Sequence, residues 1–76
     1  MHLLEHKGYE TIVHISFDDN ILYGRVMFIE DLVTYEAETP QGAKQAFEDA
    51  VDDYLAFCVA HNKEPEKPEV SLRSVL

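Results

Sequence analysis

Between residues 43 and 59 the apolar side chains return every three or four positions, and no other feature of the chain restricts its folding so strongly. Ala43, Ala46, Phe47, Ala50, Val51, Tyr54, Leu55, Cys58 and Val59 form a stripe that only a helix gathers on one face. Glu48, Asp49, Asp52 and Asp53 fall on the other side, with no Lys or Arg between residues 46 and 55 to neutralise them. Thr39 and Pro40 start the helix: the Thr hydroxyl accepts from the first free amides, and Pro suits the first helical position. Gly42 weakens the first turn by up to ~1 kcal/mol relative to Ala. The helix ends near Ala60, because Glu64-Pro65-Glu66-Lys67-Pro68 reads as an extended connector. Such a helix needs an apolar cover, and its acidic back needs a reason: solubility, catalysis or docking of something basic.

The cover comes from segments that alternate with period two. In residues 9–17, Tyr9, Thr11, Val13, Ile15 and Phe17 point one way and Glu10, Ile12, His14 and Ser16 the other, which predicts a strand. Asp18-Asp19-Asn20 is a turn cluster, and residues 21–29 return as a second strand of an antiparallel hairpin. Gly24 inside that strand marks a bulge or a close approach by another element. Glu30-Asp31 interrupts the pattern, residues 33–37 form a third strand, and residues 70–76 are apolar and β-branched enough for a final one. The expected fold is α+β in the order β-β-β-α-β: an antiparallel three-stranded meander plus a final strand, with one helix packed on one face.

At 76 residues the expectation is a single domain, 1–76, with a thin stability margin. The 46% hydrophobic content argues for a packed core, and the formal net charge of −9 repels nucleic acid while attracting a basic protein. Cys58 is the only cysteine and lies on the helix's apolar face, so it reads as a small buried hydrophobe. There is no signal-peptide pattern and no run of about 20 apolar residues, which gives a cytoplasmic expectation.

Five stretches taken in order resemble a known family. His6-Lys7-Gly8-Tyr9 opens the pattern, followed by Tyr23-Gly24-Arg25-Val26 and by Ile29-Glu30-Asp31-Leu32-Val33-Thr34-Tyr35-Glu36. Ala46-Phe47-Glu48-Asp49-Ala50-Val51-Asp52-Asp53-Tyr54-Leu55 and the segment 58–68 close it. Together they resemble the HicB family, the antitoxins of HicA–HicB toxin–antitoxin pairs, over about residues 6–73. The resemblance implies a partial ribonuclease-H-like fold and a protein-binding antitoxin that blocks a small, basic, RNA-cleaving HicA-like toxin; the alternatives are a solitary HicB-like domain with another protein partner and a small metal-dependent nuclease. Many members of that family carry a C-terminal DNA-binding segment. This sequence shows none before Leu76, and Glu69-Val70-Ser71 replaces the usual Ser-Gly-Lys-rich stretch, so direct DNA binding is not expected.

On this reading Glu48, Asp49, Asp52 and Asp53 are either a solvated face or part of the toxin-docking surface. Opposed charge there would steer encounter more than it would supply affinity. Catalysis is not expected. Two-metal phosphoryl chemistry needs carboxylates converging on ions about 4 Å apart, whereas Asp18 and Asp19 lie in a hairpin turn and Asp31 in a loop at the strand's other end, leaving Glu36 and Asp52 alone. No metal or cofactor is expected either: His2 and His6 lie in an extended segment with no Cys pair. His14 faces the polar side of its strand. Tyr9, Tyr23, Tyr35 and Phe28 read as sheet aromatics without the interleaved Lys and Arg of an RNA-stacking surface. Unpaired outer strands predict self-association, giving a homodimer.

Overall fold

The alternating segments and the helical stripe bury one another in an α+β arrangement. The computed structural model describes residues 2–68. Strands β1 (His2–His6), β2 (Tyr9–Ser16), β3 (Ile21–Arg25) and β4 (Thr34–Ala37) form one antiparallel sheet in the order β1-β2-β3-β4. Helix α1 (Pro40–Ala60) covers one face of it and packs most extensively on β4. The meander and the helix stand where alternation and the apolar stripe put them. The expected strand over residues 70–76 lies outside the described residues.

The sheet gains a strand that alternation did not reveal. β1 precedes the meander and pairs with β2 from His2↔Val13 to His6↔Tyr9. The two residues between them, Lys7 at φ 53° and Gly8 at φ 86°, both take left-handed backbone. That geometry matches the right-handed twist of the flanking strands in a two-residue hairpin, and Gly8 adopts it without a side-chain penalty. The next hairpin turns through residues 17–20, with Asn20 at φ 60°, a conformation Asn tolerates.

The second strand of the meander ends at Arg25, four residues before the expected Ile29. Val26 still donates to the Val33 carbonyl at 2.9 Å, but the Met27 amide turns to the Glu10 carbonyl at 2.8 Å, and Phe28 at φ 65° takes the chain out of the sheet. Gly24 resolves as a close approach. A Cβ there would lie 2.8 Å from the Ile12 carbonyl oxygen and collide with the Tyr35 hydroxyl, whose ring lies across the glycine from its cross-strand position.

The core consists of Tyr9, Val26 and Tyr35 from the sheet side and Ala43, Phe47, Val51, Tyr54 and Cys58 from the helix. Tyr9 meets Tyr54 edge-on at 6.1 Å and Tyr35 meets Phe47 at 5.7 Å, separations at which aromatic pairs attract. Cys58 is fully buried, as its place in the stripe predicts. Val59, at the margin of the stripe, is 78% exposed.

Candidate functional site

The ends of α1 are fixed by local chemistry, and this decides which way its side chains face. Thr39 is extended (ψ 157°) and its Oγ1 accepts from the Gly42 amide at 2.9 Å. At the other end Asn62 takes φ 53°, its amide donates to the Val59 carbonyl, and the Lys63 amide donates to the Cys58 carbonyl at 2.8 Å. This is a Schellman closure with Asn in the left-handed position. It turns Lys63 back toward the sheet.

With the helix so placed, its four carboxylates do not share a surface. Asp52 faces the β1–β2 turn, and Glu48 precedes it by one turn on the same flank. Asp52 Oδ1 meets Lys7 Nζ and His6 Nε2, each at 2.9 Å. The Lys7 ammonium, and after it His6, holds the Asp52 carboxyl below the usual aspartate range. Glu48 Oε2 lies 3.9 Å from Lys44 Nζ. Asp49 and Asp53 face the opposite flank, over β4, and Asp49 accepts a hydrogen bond from Gln45 Nε2 at 3.0 Å.

A groove opens between that flank and β4, with a volume of about 1000 Å³, room for several side chains. Ala46, Ala50 and Tyr54 floor it from the helix and Val33 and Tyr35 from the sheet. Leu32, 77% exposed, and Phe57, 51% exposed, stand on its rim. Asp31, Glu36, Asp49 and Asp53 also line it. Lys63 closes one end with its ammonium on the Asp31 carboxylate and 6.0 Å from the centre of the Tyr54 ring. Asp31 holds that ammonium above the ordinary lysine range. Among the described residues no cation pairs with Glu36, Asp49 or Asp53.

The loop that forms this end of the groove is held by Glu66. Its carboxylate accepts from the Glu30 amide at 2.9 Å and the Asp31 amide at 3.2 Å. Its backbone amide donates to the Tyr54 hydroxyl at 2.9 Å, and its carbonyl accepts from the Tyr9 hydroxyl. Burial first, then the nearby Cys58 and Glu66, pushes the Tyr9 hydroxyl above its ordinary range, so it stays a donor. Beneath the groove, Thr11 Oγ1 donates to the Arg25 carbonyl at 2.7 Å. The Tyr35 hydroxyl therefore donates to Thr11 across 2.9 Å.

Of the sequence-predicted residues, the fold brings Asp49 and Asp53 together with Asp31 and Glu36, and sets Glu48 and Asp52 apart from them. Leu32, Phe57 and Lys63 join the site through tertiary placement; the interruption at Glu30-Asp31 was the only local signal for that end of it. Among the described residues no three of His, Cys, Asp or Glu gather in a way that could hold a metal ion, and no helix is long and apolar enough to cross a membrane. On the sheet's other face His14 stacks on Tyr23 at 5.4 Å. No family model matches the chain, and neither a curated protein nor a solved structure matches it.

Proposed function

We propose that this chain is a protein-binding domain whose partner is a small basic protein, and that the partner is an RNA-cleaving toxin of the HicA type, which the chain neutralises as a HicB-like antitoxin without catalysis of its own. The supporting observation is the groove beside β4: an apolar floor and exposed Leu32 and Phe57, lined by Glu36, Asp49 and Asp53 with no cation paired to them among the described residues. Like charges held along one cleft cost stability unless something positive arrives. The HicB resemblance supplies the identity of that positive partner, and the net charge of −9 supplies its steering.

Titration calorimetry against a HicA-type protein at low and high salt tests this reading. Binding that weakens as salt screens the charges is the expected result. Absence of binding at both salts overturns the reading for that partner. An RNA-cleavage assay with Mg²⁺ or Mn²⁺, repeated on Asp31→Ala and Asp52→Ala, checks the non-catalytic part; activity lost in either variant would contradict it.

A homodimer is the second reading, favoured by the free outer edge of β1 among the described residues. That edge carries Leu3 and Leu4 and lacks the acidic rim of β4. Sedimentation equilibrium across a concentration series decides it, a monomer throughout ruling it out.

A further inference from the structure

We propose that the edge of β4, an outer strand among the described residues, receives an extended strand of the basic partner, hydrogen-bonded to the backbone of Thr34 and Glu36, with cationic side chains at alternate positions lying over the groove. This inference rests on the protein-binding reading and specifies how the partner is held.

The argument begins with backbone direction. Antiparallel strands alternate residues whose N–H and C=O point to the neighbour with residues whose groups point away. The Val26 amide donates to the Val33 carbonyl, so Val33 points toward β3. Counting along the register Arg25↔Thr34, Gly24↔Tyr35, Tyr23↔Glu36 and Leu22↔Ala37, Tyr35 and Ala37 also point toward β3, and Thr34 and Glu36 point outward. Among the described residues β4 is an outer strand, and both Thr34 and Glu36 are exposed. This edge carries neither proline nor lysine; its protection is its four-residue length and the charge of Glu36, which a cationic strand complements.

Side-chain geometry then selects the occupant. A strand added to β4 lies about 4.8 Å farther out, and its alternate side chains point to the helix side of the sheet. That side is the groove, where Asp49 and Asp53 stand one helical turn apart, about 6 Å along the axis. Alternate residues of a strand repeat at about 6.7 Å, so Lys or Arg at i and i+2 match the two carboxylates. The intervening residue faces the other side, next to Glu36. Asp31 is already occupied by Lys63, which leaves Asp49 and Asp53 for the cationic side chains on the helix side, while Glu36 lies on the opposite face of the sheet. A second copy of this chain pairing β4 to β4 would bring its own acidic edge to the same place, and like charge opposes that symmetric pairing.

The probe is a capped eight-residue peptide alternating Lys and Val, added to the full chain at low salt. Thr34→Pro removes one outward amide and leaves every rim charge in place; proline is tolerated in an edge strand where the amide faces solvent. Thr34→Val keeps the amide. We expect the peptide to slow amide exchange at Thr34 and Glu36 and leave Tyr35 and Ala37 unchanged. We expect Thr34→Pro to weaken binding by about tenfold or more, and Thr34→Val to bind like the parent chain. Binding unchanged by Thr34→Pro, with no protection at Thr34 and Glu36, overturns the strand inference and leaves the acidic-groove reading standing. The variant Glu36→Gln/Asp49→Asn/Asp53→Asn tests that reading separately: undiminished binding there would place the partner elsewhere. A concentration-dependent dimer that Thr34→Pro dissolves would give the edge to a second copy and also overturn the proposal. Should Thr34→Pro unfold, the exchange pattern of the parent chain alone decides.

Discussion

Asp52 shows how one residue's role changes once the chain is folded. In sequence it belongs to an unneutralised acidic run; in the fold it meets Lys7 and His6 from the β1–β2 turn. Its folded carboxyl titrates below the unfolded one, so the stabilisation is complete above about pH 4–5 and is lost as pH falls through the lower folded value. The difference in urea midpoint between the parent chain and Asp52→Asn should therefore be constant near neutrality and shrink as pH falls below the ordinary aspartate range. A difference that persists undiminished in acid would mean that Asp52 acts by packing and not by charge. Gly24 makes the opposite kind of point, since its contribution is an absent side chain. Gly24→Ala forces a methyl into the Ile12 carbonyl and the Tyr35 hydroxyl, which is itself tied to Thr11. The expected cost is about 1–3 kcal/mol, read from urea unfolding. A variant as stable as the parent would show that the Tyr35 ring yields freely.

Elements differ in how much of themselves they declare locally. Helix α1 was legible at both ends and along its length: Thr39 before Pro40, the stripe from Ala43, the buried Cys58. Each of these signals lies within a turn of the structure it specifies. Thr39→Ala should cost about 1 kcal/mol of stability, because the Gly42 amide loses its acceptor; thermal unfolding measures it, and an unchanged transition would mean water replaces the cap. β1 was not legible as a strand, because the adjacent Leu3 and Leu4 obscure period two. Its one signal was the Lys7-Gly8 pair, a turn whose meaning depends on what flanks it. The early end of β3 was hidden for a different reason: the competitor for the Met27 amide is the Glu10 carbonyl, seventeen positions away in the sequence. The candidate site was half legible. Asp49 and Asp53 stood out as acidic helix residues, but their separation from Glu48 and Asp52 depends on which flank of α1 lies over β4. Glu66 is the extreme case, a connector residue whose carboxylate holds two loop amides about 35 positions distant. Glu66→Ala should speed amide exchange at Glu30 and Asp31 by about tenfold, the effect of losing ~1.5 kcal/mol of charge-assisted hydrogen bonding, while exchange at Phe47 and Val51 stays unchanged. Uniform acceleration across the chain would instead make Glu66 a determinant of global stability.

At the scale of the whole molecule the governing quantity is charge. Fifteen acidic residues face six basic ones, and among the described residues Lys7, Lys44 and Lys63 are committed to Asp52, Glu48 and Asp31. Salt screens both the ion pairs and the repulsion, with a Debye length of about 8 Å near physiological ionic strength. The exposed ion pairs contribute little, typically below ~1 kcal/mol each, whereas the repulsion sums over every uncompensated carboxylate. Repulsion therefore outweighs attraction, and the melting temperature should rise as salt increases from about 0.01 M to about 0.15 M. The groove should account for a distinct share of that rise, because Asp49 and Asp53 repel at i,i+4 by a few tenths of a kcal/mol and Glu36 adds its charge at the adjoining edge of β4. Glu36→Gln/Asp49→Asn/Asp53→Asn is thus expected to be more stable than the parent at low salt, with a shallower salt dependence and weaker association with a basic partner. Those effects belong together, since the charge that would attract a cationic strand is the charge that strains the free chain. A variant that loses association without gaining stability would separate them, and would mean that the groove's carboxylates are far enough apart, or well enough solvated, to carry no strain of their own.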